Sequence, residues 1–140
     1  MTEKLEMLIE GEAAGQLIFS SEPLSFWGGV SVETGEVIDR RHPLSGQSLA
    51  GKILVFPGSR GSSSGSGVLL EAIRNGSTPA AIISAQPDLI LALAALLARE
   101  LYGRTSPLAV GSATFFEWAL QHNHKPFTLH SDGSFDFKDS

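Results

Sequence analysis

Cysteine is absent from the 140 residues of this sequence. This absence excludes disulfide bonds, a thiolate nucleophile and an iron–sulfur cluster held by the chain's own side chains. Residues 1–12 are polar and acidic, unlike a secretory signal. The longest apolar run, residues 89–98, is about half the roughly 20 residues that a membrane-spanning helix needs. We therefore expect a cytoplasmic protein without membrane association, in which residues 89–98 belong to a buried helix.

Positive charge is also scarce. Lysine and arginine number 10 against 15 acidic residues, giving a formal net charge of −5. Nucleic-acid binders concentrate basic charge, so we expect no nucleic-acid partner. With 42% hydrophobic and 18% charged residues, the chain is not of the disordered class. A chain of this length buries about two-thirds of its surface on folding, and we predict a single domain over residues 1–140.

Strand and helix patterns alternate in the second half of the chain. Residues 52–56 form a continuous apolar run, which is typical of a strand covered on both faces. The patterns predict strands over 52–56, 80–84, 108–110 and 127–129, with helices over 68–74, 89–102 and 115–122. This order predicts a parallel sheet with right-handed crossovers.

The first half of the chain is strand-like, with short candidates over 5–9, 14–19 and 37–38. We expect these strands to be antiparallel and barrel-like. The predicted fold class is therefore α/β, in a compact β/β/α arrangement whose strand–helix alternation lies in the second half.

A serine–glycine loop over residues 57–67 (PGSRGSSSGSG) carries the most chemical information. It lies between a predicted buried strand and a helix, where α/β sheets bind ligands. The positive end of the helix and the Arg60 guanidinium both suit a carboxylate or phosphate. The loop is not a phosphate-binding Walker A sequence, because it has no lysine. It also lacks the spacing of a Gly-x-Ser-x-Gly nucleophile turn.

A structural explanation of the same loop is available. Serine is a favoured helix N-cap, and serine with glycine commonly forms turns. The loop has more serines than one helix cap requires, however, which favours a functional role. A stand-alone module that binds a small anion is a further alternative, and it predicts measurable ligand affinity for the isolated chain.

Several segments together resemble the small swivelling domain of the aconitase X family. The resemblance covers about residues 11–107, and its matching segments are 26–30 (FWGGV), 35–43 (GEVIDRRHP), 46–52 (GQSLAGK), 57–66 (PGSRGSSSGS) and 76–83 (GSTPAAII). One position departs from the pattern: Ser31 stands where the resemblance leads us to expect an acidic residue. The role of that carboxylate is either absent from this chain or supplied by Glu33. The resemblance implies an aconitase-like swivelling domain.

The resemblance also implies a function. Members are hydro-lyases, some of them divided into a small chain and a large catalytic subunit that holds an iron–sulfur cluster through cysteines. We therefore expect no cofactor or metal on this chain, a large-subunit partner and a small hydroxy-acid substrate. The preferred activity is dehydration of cis-3-hydroxy-L-proline, and dehydration of mevalonate 5-phosphate is the alternative.

The family's catalytic serine corresponds to Ser62, with Ser63 as its nearest competitor. Arg60, Gly61, Ser63 and Ser64 are expected to bind the substrate. A serine must be an alkoxide to act as a base, and Arg60 can either favour that form or bind the substrate carboxylate.

Three side-chain groups outside this loop also carry expectations. His42 either faces the cleft or forms hydrogen bonds within a turn, and we favour the turn. A large subunit requires an apolar docking patch. Phe26–Trp27 and Phe115–Phe116 are the candidates for that patch.

Overall fold

The computed structural model describes residues 4–26, 28–59 and 64–138, without the side chains of 64–66. In these ranges it contains seven strands and three helices. In chain order they are β1 Glu6–Ile9, β2 Ala13–Phe19, β3 Ile53–Phe56, α1 Ser64–Asn75, β4 Ala81–Ser84, α2 Leu89–Tyr102, β5 Leu108–Val110, α3 Ala113–Gln121, β6 Pro126–Leu129 and β7 Phe135–Phe137.

All seven strands belong to one sheet with the order β1-β5-β4-β3-β2-β6-β7. The four middle strands, β2 to β5, are parallel to one another. The outer pairs β1–β5, β2–β6 and β6–β7 are antiparallel, and the sheet is curled into a half-barrel. The predicted α/β class with barrel-like strands is confirmed, as is the strand–helix alternation of the second half.

Helices cover both faces of the sheet. All residues of β3 and β4 are buried, which explains why their sequences are apolar without alternation. The crossovers place α1 and α2 on one face, where Leu69 and Leu91 share a core cluster with Leu54. On the other face, α3 contributes Phe115 to a second cluster with Val55. Successive residues of β3 thus point into different cores.

The segment between β2 and β3 contains turns and isolated bridges. Residues Val37 and Ile38 were predicted as a short strand, and this prediction is wrong. Val37 makes only an isolated bridge with Val30. Gly35 and Gly46, on either side, have φ values of +75° and +85°. Backbone in this left-handed region turns the chain and prevents a longer strand.

The aromatic residues predicted to form a docking patch are mostly in the core. Phe26 and Phe115 are 1% and 0% exposed, and the ring of Phe26 packs edge-on against Phe56 at 6.4 Å. Phe116 is half-buried, and Trp27 lies outside the described residues. The prediction is therefore wrong for Phe26 and Phe115, because tertiary neighbours cover both rings.

His130, directly after β6, interacts with a carboxylate of β7 and with Glu12. The Nε2 atom of His130 lies 2.8 Å from the Asp136 carboxylate, and its Nδ1 atom lies 3.6 Å from that of Glu12. The Asp136 hydrogen bond, followed by the nearby charges, raises the pKa of His130 above its ordinary value. The protonated ring therefore stabilises the pairing of these elements.

We expect the His130 interaction to weaken as the pH rises. Its contribution is fully present below the unfolded-state pKa of about 6.5 and disappears as the pH passes the raised folded-state pKa. NMR titration should give a pKa for His130 above 6.5, and Asp136→Asn should lower it. Glu12→Gln should lower it less, because Glu12 is farther away. Equal effects of the two variants would contradict this assignment.

Gly35 should tolerate alanine less well than Gly46. Both have positive φ, so alanine costs about 1–2 kcal/mol at either position through backbone strain. A Cβ atom at Gly35 would also meet the carbonyl oxygen of Ser77, whereas nothing lies within 4 Å at Gly46. Urea denaturation should show Gly35→Ala to be less stable than Gly46→Ala by about 1–3 kcal/mol. Equal losses would show that the Ser77 contact has no effect.

Candidate active site

The polar features of the domain gather at the carboxyl ends of the parallel strands. Because β2 to β5 run in one direction, the residues that follow them lie at the same edge of the sheet. The serine–glycine loop leaves this edge after Phe56 and enters α1 at Ser64. The predicted location between strand and helix is confirmed. The helix begins earlier than predicted, because serine and glycine are weak helix formers that conceal its first turn in the sequence.

The structure describes the two ends of this loop. Four of the predicted site residues, Arg60, Gly61, Ser62 and Ser63, lie outside the described residues. The fifth, Ser64, is the first residue of α1, and its side chain is not described. The roles assigned to these five residues therefore remain predictions, while the residues around them define the setting.

A carboxylate holds the first end of the loop. The backbone N–H of Ser59 donates a hydrogen bond of 2.7 Å to Oδ2 of Asp88. The other oxygen of Asp88 accepts from the Leu91 N–H at 3.1 Å, as the N-cap of α2. On the opposite side, Leu24 forms a parallel bridge with Ser59 and donates its N–H to the Gly58 carbonyl. Ser59 is thus fixed from two directions.

Sequence reasoning identified Asp88 only as a helix start. The signal for the cap is present, since a Pro-Asp pair precedes a long apolar pattern. No pattern in the sequence indicates that its second oxygen reaches Ser59, 29 residues away. A hydrogen bond to an ionised oxygen is about twice as strong as a neutral one, so Asp88 is a firm anchor for Ser59.

The helix α1 defines the other end. Its 12 residues align peptide dipoles that leave partial positive charge at the N-terminus, next to amide groups without helical partners. Ser62 is two residues before Ser64, the first residue of this helix, in the sequence.

Two open hollows adjoin this edge. One, of about 400 Å³, lies between the β3 and β4 ends and is lined by residues 57–59 and 86–90. The other, of about 640 Å³, lies on the β2 side and is lined by Glu22, Asp39, Arg41, His42 and Pro43. The lining of this second hollow carries both signs of charge, with the carboxylates of Glu22 and Asp39 and the guanidinium of Arg41.

His42 is buried beneath the second hollow, with a relative exposure of 6%. Its Nδ1 atom accepts the N–H of Leu44 at 3.1 Å, and Nε2 lies 3.1 Å from the carbonyl of Pro23. The Ser20 hydroxyl is 3.5 Å away and donates instead to the Glu22 carbonyl at 2.8 Å. Both ring nitrogens therefore have structural partners. The preferred interpretation of His42, hydrogen bonding within a turn, is confirmed.

The chain's donors do not fit an iron–sulfur cluster. Such clusters are held mainly by cysteine thiolates, and the sequence has none. Throughout ranges 4–26, 28–59 and 64–138, no three or more histidine or carboxylate residues are grouped so as to hold a metal ion. In the same ranges, no helix combines the length and apolar character of a membrane span.

Replacing Asp88 should separate its two roles. Asparagine retains one oxygen, which can still cap α2. Its other group is an N–H₂ donor, and this group cannot accept the hydrogen bond that the Ser59 N–H donates. We expect Asp88→Asn to lower the free energy of unfolding by about 1–3 kcal/mol, because the Ser59 N–H loses its charged acceptor, and the Ser59 amide to exchange hydrogen faster. Asp88→Ala should lose about a further 1 kcal/mol, because the cap of α2 is lost as well. Both effects are measurable by hydrogen exchange and urea denaturation.

Ser112→Ala provides the matched control. Ser112 caps α3 by accepting the Phe115 N–H, so its loss should also cost about 1 kcal/mol. It should leave the exchange of the Ser59 amide unchanged. If Ser59 exchanged equally fast in the wild type and in Asp88→Asn, the anchoring role of Asp88 would be refuted.

Comparisons with known proteins agree with this arrangement. Residues 2–124 match the family model described as the aconitase X swivel domain. The chain is 53% identical over 112 residues to a cis-3-hydroxy-L-proline dehydratase of Pseudomonas aeruginosa, covering 80% of this chain and 19% of that protein. It thus spans about a fifth of the length of that relative.

This chain matches a larger share of two further relatives. The phosphomevalonate dehydratase small subunit of Methanothermobacter thermautotrophicus is 45% identical over 92 residues, which are 66% of this chain and 70% of that one. The crystal structure of Thermococcus kodakaraensis aconitase X, holo-form, matches 98% of this chain and 99% of that chain at 33% identity, with a TM-score of 0.82. With its curled sheet, its serine–glycine loop and this match over most of its length, the chain belongs to the aconitase X swivel domain family.

Proposed function

We propose that residues 1–140 form one swivelling domain that serves as the small subunit of a hydro-lyase. In this proposal Ser62 is the catalytic base of an active site shared with a large catalytic subunit. The observation that carries the proposal is the setting of the serine–glycine loop in a swivel-domain chain. One end of the loop is anchored by Asp88, and the other end leads into the N-terminus of α1.

The proposed reaction removes water from a hydroxy acid. The Ser62 alkoxide takes a proton from the carbon beside the substrate carboxylate, so that a C–H bond breaks and an O–H bond forms. The electron pair becomes the new C=C bond as the C–O bond at the next carbon breaks. The departing hydroxide takes a proton from solvent and leaves as water, and the Ser62 hydroxyl returns its proton to solvent, which restores the alkoxide. Negative charge develops on the carboxylate, and preorganised positive groups stabilise it.

The setting of the loop supports an alkoxide. A nearby positive charge favours the deprotonated form of a hydroxyl group. Ser62 is two residues before α1 in the sequence, and we propose that the partial positive charge of that helix N-terminus acts on it. Arg60 supplies a full charge two residues earlier in the sequence. Arg60, Gly61, Ser63 and Ser64 are proposed to bind the substrate, Arg60 through its planar pair of donors on a carboxylate.

We propose cis-3-hydroxy-L-proline as the substrate. Identity to the Pseudomonas dehydratase, 53%, exceeds the 45% to the Methanothermobacter small subunit. The hollow on the β2 side supports this order, since the described residues that line it include two carboxylates, Glu22 and Asp39, and one guanidinium, Arg41. Two carboxylates repel the phosphate of mevalonate 5-phosphate but tolerate the ammonium of an amino acid. Mevalonate 5-phosphate is the second candidate.

The proposal assigns the iron–sulfur cluster to the large subunit, since this chain has no cysteine to hold it. The name of the Methanothermobacter relative, a small subunit, supports the division into two chains. We therefore propose a complex in which this chain contributes the serine loop and the partner contributes every ligand of the cluster.

Turnover by the complex tests the proposal. This chain is co-expressed with its cognate large subunit, and dehydration of cis-3-hydroxy-L-proline and of mevalonate 5-phosphate is measured. Ser62→Ala should lower kcat by at least about 10²–10⁴-fold, the usual worth of an acid–base group. The complex should form as in the wild type.

Ser63→Ala and Ser64→Ala are the matched controls. Each removes one hydroxyl from the same loop and should affect KM more than kcat. Full activity of Ser62→Ala would reject this serine as the base, and a selective loss in Ser63→Ala would transfer the role to Ser63. A stable complex that acts only on mevalonate 5-phosphate would reverse the order of substrates. Small-anion binding by the isolated chain, without any complex, would support a stand-alone module instead.

A further inference from the structure

The outer face of α2 carries a stripe of exposed leucines, here called the leucine stripe. The stripe consists of five leucines whose side chains are between 40% and 76% exposed, Leu89 the most: Leu89, Leu93, Leu96, Leu97 and Leu101. Spacings of three and four residues place these side chains on one side of the helix. They make up five of the seven exposed large hydrophobic side chains in the described ranges.

The opposite face of α2 is already buried. Leu91, Ala94, Ala95 and Ala98 lie in the core and are 0% exposed. The helix is therefore apolar on both sides, a pattern typical of a helix that is covered all round. Here the domain itself covers only one side. An exposed apolar patch of this kind marks an interaction surface.

The position of the stripe indicates which protein covers it. Leu89 follows Asp88, the residue that anchors Ser59, and both line the 400 Å³ hollow beside the serine loop. From there the stripe extends to Leu101, about 18 Å along the helix at 1.5 Å per residue. A chain that closes over the serine loop from the β4 side therefore meets Leu89 first and continues along the stripe.

The length of the relatives points the same way. In the Pseudomonas dehydratase the matching segment is 19% of the protein, so about four-fifths of that chain lies outside the part that this domain resembles. A domain that packs against so large a remainder needs an extended surface, and the fully buried centre of such an interface is more apolar than the rest of a protein surface. The leucine stripe extends along α2 and holds five of the seven exposed large hydrophobic side chains of the described residues.

We propose that the large catalytic subunit docks on the leucine stripe through an apolar groove of its own. This inference rests on the proposed function and specifies the surface by which the two chains join. A second copy of this chain is the less favoured occupant, because it would cover the entrance to the serine loop with a chain that has no cysteine for the cluster. Docking of the large subunit completes the site instead of blocking it.

The test measures the affinity of the two chains. Leu93→Gln combined with Leu97→Gln replaces two central members of the stripe by a residue of similar helix propensity. Because central apolar contacts dominate interface energetics, the Kd for the cognate large subunit should rise at least about 100-fold. Circular dichroism and the melting temperature of the isolated chain should not change. At saturating large subunit the variant should recover the kcat of the wild type.

Leu120→Gln is the matched control. Leu120 is 59% exposed on α3, which packs on the other face of the sheet, so its replacement should leave the Kd unchanged. Equal Kd values for the double variant and the wild type would overturn the docking surface while leaving the proposed function intact. A wild-type chain that binds no large subunit would instead reject the proposed function. Light scattering that shows a wild-type dimer, and a monomeric double variant, would identify a second copy as the occupant.

Discussion

Four strands that run in one direction, β2 to β5, release the chain at the same edge of the sheet. Parallel pairing requires crossover connections, and here α1 joins β3 to β4 and α2 joins β4 to β5, while turns join β2 to β3. The two central strands β3 and β4 are covered on both faces and are apolar, and the serine–glycine loop lies beyond the carboxyl edge. Ser20, Ser59 and Asp88 all lie there, although they come from distant parts of the sequence. The site follows from the direction of the strands.

Much of this arrangement could be predicted from the sequence. The apolar runs of β3, β4 and β5 contain no alternation and have clear turn residues after them, so they identified a buried parallel sheet. The same patterns placed the serine–glycine loop at a strand end. The bond from Asp88 to Ser59 could not be predicted, because it depends on how two crossovers pack and not on any local pattern. The strand expected at Val37 failed since glycine conformations turn the backbone.

Burial of large apolar side chains was harder to predict than secondary structure. A phenylalanine and a leucine give the same hydrophobic signal, but only the fold decides which of them has neighbours. Phe26 and Phe115 were expected at an interface, and they are core residues. The run over 89–98 was expected to be buried, whereas Leu93 and Leu97 point away from the domain. Composition indicates how much apolar surface a chain has, and tertiary packing decides where it is exposed.

The two oxygens of Asp88 have a thermodynamic consequence for assembly. One oxygen fixes the start of α2 and the other fixes Ser59, so Ser59 becomes ordered together with the helix. The conformational entropy of Ser59 is therefore lost when the domain folds, and this part of the cost does not oppose a later association with another molecule. A single carboxylate thus transfers the cost of ordering Ser59 from binding to folding.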